Sequence, residues 1–310
     1  METTIISGKE NAGIDPVLTA WHWEIPLYLF LGGLAAGVLF FSAFFFLLKK
    51  EKQFPATVIN TVPVAPIAIV IGLMALMLDL THKPFFWRLY TTFKIESPMS
   101  WGAWVLMVIT PISVLWSLDG FKVWMPGLFG KFNWLNRLLE LKRKFNTTLA
   151  WALLVLALIL GVYTGILLSA FNARPLWNTS VLGFLFLISG LSTGAALILM
   201  FSTIKDEKKL IAQIDLVLIG LELFLITHMF MGFMAGSAAK IQAAQLFLGG
   251  PYTMPFWLLV VGLGLVLPAV LELMSLRHIK VPKLIPPMLI LLGGVAFRFI
   301  IVYAGQVSAY

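Results

Sequence analysis

The chain has 310 residues, of which 60% are hydrophobic and only 12% are charged, with a formal net charge of +8. A soluble protein carries about 25% charged residues, so this composition excludes an ordinary soluble enzyme, and the positive charge is more typical of cytoplasmic loops than of nucleic acid binding. The absence of cysteine excludes disulfides, iron–sulfur clusters held by thiolates and covalently attached c-type haem.

Apolar runs long enough to cross a bilayer recur along the whole sequence. Residues 1–20 lack the basic segment, apolar stretch and cleavage pattern of a signal peptide, so we expect the first apolar run to serve as its own insertion signal. The predicted fold is an all-α integral membrane protein with eight transmembrane helices. Their predicted spans are 24–48, 57–80, 101–118, 147–171, 178–203, 210–236, 254–276 and 285–306.

Lysine and arginine are distributed unevenly over the predicted loops. The loops after helices 1, 3, 5 and 7 hold fifteen of them, whereas the other loops and the two termini hold six. Because basic residues are enriched in cytoplasmic loops, the first group is predicted to be cytoplasmic. Both termini are therefore predicted to be extracytoplasmic, and membrane lipid is an expected partner.

Three short segments recur in the same order in the two halves of the chain. LGGLAAGV (31–38) is similar to ISGLSTGA (188–195), DLTH (79–82) to LITH (225–228), and VYTG (162–165) to VYAG (302–305). We interpret this as a duplicated unit forming two four-helix bundles, residues 1–171 and 172–310. Glycines spaced by four are expected to let helices pack closely, and the pairs are Gly33/Gly37, Gly161/Gly165, Gly190/Gly194 and Gly232/Gly236.

The start of the first helix carries an unusual group of polar side chains. Glu24 and Tyr28 are four residues apart and therefore share one helix face, with His22 just before the first turn. Trp21 and Trp23 flank His22 at the level expected for lipid headgroups. The group is either an interfacial anchor or part of a binding site.

Other polar residues lie within the later helices, where charges are costly and commonly functional. Asp79 could form a structural ion pair with His82 or Arg88, and Tyr163 could be an interfacial tyrosine. Arg298 lies ~12 Å deep in the eighth helix.

An arginine at that depth needs a carboxylate, and the sequence offers Glu24, Asp79 and Glu222. Asp215 and Glu222 are seven residues apart and form a stripe along the sixth helix. That stripe is interpreted as a proton path or as a polar contact inside the bundle.

Six segments resemble the NrfD/polysulfide reductase family of membrane subunits over nearly the whole chain. They are WHWEIPLYLFLGGLAAG (21–37), LDLTHKPFFWRLY (78–90), SPMSWGAW (97–104), GVYTGILLSAFNARPLWN (161–178), LFLISGLSTGAA (185–196) and FRFIIVYAGQ (297–306). The resemblance implies a multi-pass protein of the bacterial cytoplasmic (inner) membrane. It also implies the quinol-oxidising or quinone-reducing subunit of a respiratory complex, with menaquinone or ubiquinone as substrate and no haem or iron–sulfur cluster of its own.

The expected partners are those of the family, namely an extracytoplasmic four-cluster iron–sulfur subunit and a molybdopterin or multihaem cytochrome catalytic subunit. In relatives the quinone lies against the start of helix 1 and a tyrosine of helix 4, which correspond to the stretch from His22 to Tyr28 and to Tyr163. Tyr28 and Tyr163 are expected to donate hydrogen bonds to the quinone, and His22, Glu24 or Asp79 to accept its protons. Arg298 is also expected to bind the quinone.

Two other functions remain open at this point. The repeat, together with Asp215, Glu222 and Arg298, would suit a secondary transporter or a proton-conducting protein. A b-type haem held by two of His22, His82 and His228 is also conceivable, because all three are predicted near the outer face.

Overall fold

The computed structural model describes residues 21–92 and 94–308, and eight helices in these ranges are long and apolar enough to cross a membrane. The prediction of an all-α protein with eight spanning helices is confirmed. We number them α1 to α8, and their bounds are Glu24–Leu47, Ala56–Asp79, Pro98–Trp116, Asn146–Ser169, Val181–Phe201, Lys205–Met234, Pro255–Leu276 and Ile285–Val307.

The residues at which the helices begin depend on local charge and on proline, and not only on where the apolar run starts. α6 begins at Lys205, five residues before its predicted start, because a charged first turn can extend out of the lipid with its backbone still hydrogen-bonded. α3 begins at Pro98, where proline is favoured because the first turn of a helix needs no N–H from it.

Shorter elements connect or interrupt the spanning helices. The short helices are Lys83–Phe85, Arg88–Thr91, Leu118–Trp124, Pro126–Lys131, Asn133–Lys144 and Ala238–Gln245. Two stretches of the spanning helices are wound as π-helix, Ala56–Asn60 in α2 and Pro255–Val266 in α7.

α1 lies at the centre of the molecule and α3 at its edge. Within their most apolar stretches, 78% of α1 is buried against other helices but only 28% of α3. α1 packs against α2, α4, α5 and α8, and α5 packs against α1, α4, α6 and α8. The remaining helices α3 and α7 pack within their own halves, α3 against α2 and α4, and α7 against α6 and α8.

The two copies of the repeated glycine motif pack directly on each other where α1 crosses α5. A Cβ at Gly190 would come within 2.9 Å of the carbonyl oxygen of Gly33, and one at Gly194 within 2.7 Å of the Cα of Gly37. The expectation for the fourth glycine pair is wrong at Gly232, because a Cβ there would meet nothing within 4 Å.

The start of α1 and the end of α8 meet at one end of the molecule, which we call the outer end; the opposite end is the inner end. The backbone N–H of Trp21 donates to Oε1 of Gln306 at 2.9 Å, and Nε2 of Gln306 donates back to the carbonyl of Trp21 at 2.8 Å. Trp21 also stacks on the buried Trp177, with ring centroids 5.2 Å apart. Residues 1–20, which lack the pattern of a signal peptide, lie outside the described residues.

Candidate functional site

Two tyrosines are buried near the outer end, one on α1 and one on α4. Tyr28 is 4% exposed and Tyr163 is 6% exposed. Tyr28 lies within electrostatic range of both Tyr163 and Tyr90, which follows α2. Helices distant in sequence thus bring three phenol groups into one neighbourhood.

Glycines on neighbouring helices face the two buried phenols, and one of them, Gly102, leaves space that its phenol fills. A Cβ at Gly102 of α3 would overlap the phenol ring and hydroxyl of Tyr163. A Cβ at Gly72 of α2 would lie 3.5 Å from the ring of Tyr28. The backbone of α3 therefore fixes the position of the Tyr163 hydroxyl.

Three ionisable side chains adjoin the tyrosines at the outer end. Asp79, at the end of α2, lies within electrostatic range of Glu24 and of the exposed His22. One carboxylate oxygen of Glu24, Oε2, is buried and accepts no hydrogen bond. Because a buried acceptor without a donor is costly, this oxygen is suited to a hydroxyl group supplied by a ligand.

A cavity of about 610 Å³ opens between the end of α2 and the start of α3. This volume is within the range of ~300–1,000 Å³ that small-molecule sites usually have. The guanidinium of Arg88 lies over the ring of Phe85, 4.8 Å from its centroid. The cavity is lined by Leu80, Thr81, His82, Phe85, Arg88, Leu89, Thr92, Lys94, Ser97, Met99 and Ser100.

Tyr90 remains protonated at neutral pH. Burial raises its pKa above the usual value of 10.0, because the phenolate would lose solvation. A phenol that keeps its proton is a hydrogen-bond donor, so Tyr90 could act together with Tyr28.

Arg298 lies deeper and on another side of α1. A Cβ at Gly33 would come within 3.3 Å of its Nη2, and Gly33 is five residues from Tyr28, so the two positions face different directions. The guanidinium is fully buried, donates to the Ser189 hydroxyl and, at 3.1 Å, to the Phe186 carbonyl. Among the three carboxylates considered for Arg298, its electrostatic partner is Glu222.

Asp215 and Glu222 also lie apart from the tyrosines, in the second half of the molecule. The hydroxyl of Ser192 donates to Oδ1 of Asp215 at 2.7 Å. Asp215 lies beside Glu272 of α7, and Glu222 lies beside Ser189 and Arg298. The predicted site residues thus form two groups, one at the outer end and one inside α5 to α8.

Sequence reasoning missed several residues of both groups. Gly102 lies in the motif SPMSWGAW, but the sequence does not indicate that the Tyr163 phenol occupies the space a side chain at Gly102 would take. Ser189 and Ser192 lie in the repeated motif ISGLSTGA, which we interpreted only as a packing surface. Glu272 was visible as a charge within a span, yet its contact with Asp215 depends on how α7 is rotated.

The three histidines considered for a haem belong to different elements: His22 precedes α1, His82 follows α2 and His228 lies on α6. Over residues 21–92 and 94–308, no group of three or more histidine, cysteine, aspartate or glutamate side chains is arranged to hold a metal ion. His228 stacks on Phe224, with ring centroids 6.1 Å apart.

Comparisons with known proteins give consistent matches along the sequence. A family model described as "Polysulphide reductase, NrfD" matches residues 14–309. The protein is 32% identical over 307 residues to the NrfD protein of Escherichia coli, a match that covers 93% of this sequence and 95% of that relative. It is 34% identical over 300 residues to the C component of the polysulfide reductase of Wolinella succinogenes, covering 92% and 94%. It is also 24% identical over 325 residues to the C component of the selenate reductase of Mesobacillus selenatarsenatis, covering 94% and 75%.

Proposed function

This chain belongs to the polysulphide reductase NrfD family, and from that membership we propose that it is the quinone-reactive membrane subunit of a respiratory oxidoreductase complex. Two of the relatives are named as components of polysulfide and selenate reductases. We therefore expect this protein to act in a complex with a catalytic subunit and an electron-carrying subunit. The substrate is a membrane quinone, menaquinone or ubiquinone, and it binds at the outer end between α1, α2, α3 and α4.

The observation that carries the proposal is the unpartnered Glu24 oxygen, one helical turn before the buried Tyr28 and beside Asp79. The cavity of about 610 Å³ begins at Leu80, the residue after Asp79, and neither tyrosine lines it. A quinone head group needs an apolar slot and a few polar groups that fix its two oxygens. Tyr28 and Tyr163 donate to a quinone carbonyl, and Glu24 accepts from a quinol hydroxyl. The residues present therefore fit this ligand.

Oxidation of a quinol removes two electrons and two protons, and reduction of a quinone adds them. The protons pass between the quinol hydroxyls and Glu24, whose neighbours Asp79 and the exposed His22 lead to the water at the outer end. The electrons pass to or from an extracytoplasmic iron–sulfur subunit with four clusters. That subunit in turn exchanges electrons with a molybdopterin or multihaem cytochrome that carries out the terminal reaction.

Binding of a short-chain quinone analogue to the purified full-length protein tests the site. Binding is measured by quenching of the tryptophan fluorescence, since the protein has 11 tryptophans. Tyr163→Phe removes one hydrogen bond and is expected to weaken binding about 3- to 10-fold. Glu24→Gln is expected to weaken binding of the quinol form, which needs the carboxylate as an acceptor.

The matched control is Tyr303→Phe, at the equivalent position of the repeat. Tyr303 is half-buried on α8 beside Phe299 and within electrostatic range of Tyr252, in the second half of the molecule, and its variant is expected to bind as the wild type does. Wild-type affinity in both Tyr163→Phe and Glu24→Gln would refute the proposed site. In the assembled complex the same two variants are expected to lower quinol-linked turnover while leaving assembly intact.

A further inference from the structure

We propose that the inner end of α5, α6, α7 and α8 forms a binding site for an anionic phospholipid whose headgroup carries hydroxyl groups, as that of phosphatidylglycerol does. Lysines that line the site hold the phosphate, and Glu272 accepts a hydrogen bond from a headgroup hydroxyl. This inference goes beyond the quinone site and does not depend on it, because the two sites lie at opposite ends of the molecule.

The site is a cavity of about 470 Å³ between four helix ends. The last turns of α5 and α7, the first turns of α6 and α8, and the loop that connects α7 with α8 form its walls. Lipid headgroups lie at the level where spanning helices end. The cavity is therefore at the depth of a phospholipid headgroup.

Positive charge dominates the walls of this cavity. Four lysines line it, whereas its carboxyl groups are only two, Asp206 and the buried Glu272. Basic pockets between spanning helices at the cytoplasmic side attract anionic headgroups, and the inner end is the one that the distribution of lysine and arginine predicts to be cytoplasmic. The lysines are Lys205, Lys208, Lys209 and Lys283.

Apolar side chains form the rest of the wall and favour a lipid over a free phosphate ion. Leu199, Leu276 and Val281 line the cavity together with the lysines. On the outside of α8, next to the cavity, Leu284 is 50% exposed and Met288 is 49% exposed. A phosphate ion gains nothing from these surfaces, whereas the glycerol backbone and acyl chains of a phospholipid pack against them.

His278 has a strained backbone and lines the same cavity. It lies just after α7 with a φ of 65°. Its N–H donates to the carbonyl of Ser275 at 3.1 Å, and the N–H of Ile279 donates to that of Met274 at 3.0 Å. These are the hydrogen bonds of a Schellman motif, whose left-handed residue is usually glycine. Because strained residues cluster at ligand sites, we assign the His278 imidazole as a donor to the phosphate.

Glu272 lacks a hydrogen-bond donor, and the headgroup supplies one. Its side chain is 3% exposed and lines the cavity, and neither carboxyl oxygen has a partner. A proton shared with the neighbouring Asp215 would satisfy one of the two oxygens at most. A buried acceptor without a donor is costly, and the hydroxyl groups of a glycerol headgroup are donors.

Native mass spectrometry of the full-length protein in detergent tests the site, with phosphatidylglycerol, phosphatidylethanolamine and inorganic phosphate as separate probes. We expect one tightly bound phosphatidylglycerol, with an affinity about 10-fold higher than that of phosphatidylethanolamine, which has no net charge. Inorganic phosphate should not compete at the same concentration. Equal binding of the two lipids would refute the charge argument, and competition by phosphate would show that the ligand is a free anion.

Lys208→Gln/Lys283→Gln removes two of the four lysines. Each lysine near an anionic headgroup contributes about 5-fold in affinity, so the double variant should bind phosphatidylglycerol about 25-fold more weakly. The matched control is Lys122→Gln/Lys131→Gln, which removes two exposed lysines from the basic loop between α3 and α4. It should retain wild-type affinity. Equal weakening in the two double variants would mean that the lipid is attracted by net charge and not by this cavity, which would overturn the proposal.

His278→Gly separates the ligand contact from the backbone strain. Lys49 has the same left-handed conformation after α1, with a φ of 58°, so Lys49→Gly relieves the same strain elsewhere. Neither variant should unfold at a lower temperature than the wild type, because glycine adopts this conformation freely. Only His278→Gly should bind phosphatidylglycerol more weakly, by about 3- to 10-fold, as loss of one hydrogen bond would. Unchanged affinity in His278→Gly would remove His278 from the site.

Phosphatidylmethanol tests the assignment of Glu272, because it has the charge of phosphatidylglycerol but no headgroup hydroxyl. It should bind about 3- to 10-fold more weakly than phosphatidylglycerol, as expected for one missing hydrogen bond. Equal affinity would show that Glu272 does not contact the headgroup. None of these measurements uses a quinone, so failure here is distinct from failure of the quinone site.

Discussion

Gly102 is the residue on which the position of the Tyr163 hydroxyl depends. A methyl group at this position would overlap the phenol, and the ring lies in a packed interior that cannot expand without cost. Gly102→Ala is therefore expected to displace the hydroxyl and to lower the affinity for a quinone analogue by about 3- to 10-fold, as loss of one hydrogen bond would. Tryptophan quenching measures the affinity.

Gly127→Ala is the control for this substitution, because a Cβ at Gly127 meets nothing within 4 Å. It should bind the analogue with wild-type affinity. If Gly102→Ala binds equally well, the Tyr163 hydroxyl is not a contact of the ligand.

The sequence predicts which residues share a face when they lie on the same helix. It does not predict which residues of different helices contact each other. Spacing along α1 placed Glu24 and Tyr28 on one face, and their proximity to Asp79 followed from a shared membrane depth. Arg298 needed a carboxylate, but the choice of Glu222 depends on the rotation of α8 against α5 and α6. Hydropathy contains no information about that rotation.

At the scale of helices, the number and approximate positions of the membrane spans were predictable, because the backbone of a single segment in lipid has to be helical. Every peptide group in the hydrocarbon layer must be hydrogen-bonded within its own segment, so an apolar run of about 20 residues predicts a helix. Errors arose at ends outside the lipid: the fifth helix was predicted from residue 178 and begins at Val181. There, Trp177 is buried and donates to the carbonyl of Ile301 at 2.9 Å, which holds the preceding loop in place.

The crossing of α1 and α5 joins the two halves together with the α1–α8 and α4–α5 contacts, and it depends on the absence of side chains. In Gly37→Ala the new methyl group would overlap the Gly190 carbonyl. Overpacking of this kind costs about 1–3 kcal/mol, so the thermal unfolding midpoint in detergent should fall. Scanning fluorimetry of the purified protein measures the midpoint.

Gly232→Ala tests whether glycine spacing alone explains such an effect. The sequence places Gly232 in the same type of four-residue motif, but the structure leaves open space around it. Alanine favours a helix over glycine by up to about 1 kcal/mol, so the midpoint should stay the same or rise slightly. A fall equal to that of Gly37→Ala would show that the α1–α5 crossing is not the cause.

At the scale of the whole molecule, the two groups of candidate site residues lie at different depths and next to cavities at opposite ends. The tyrosines and the cavity of about 610 Å³ are at the outer end. Glu272 and the cavity of about 470 Å³ are at the inner end, beside four lysines. The proposed function requires the outer end to face the extracytoplasmic side, because the iron–sulfur partner that exchanges electrons with the quinone lies there.

The natural absence of cysteine allows this orientation to be tested with single substitutions. Glu96→Cys places a thiol on the exposed loop before α3, and Gly130→Cys places one in the basic loop before α4, with open space around it. A membrane-impermeant thiol reagent added to intact spheroplasts should label Glu96→Cys and leave Gly130→Cys unlabelled. After the membrane is disrupted, both should be labelled. The reverse pattern would place the tyrosines on the cytoplasmic side, and an extracytoplasmic iron–sulfur partner could then no longer exchange electrons with the proposed quinone site.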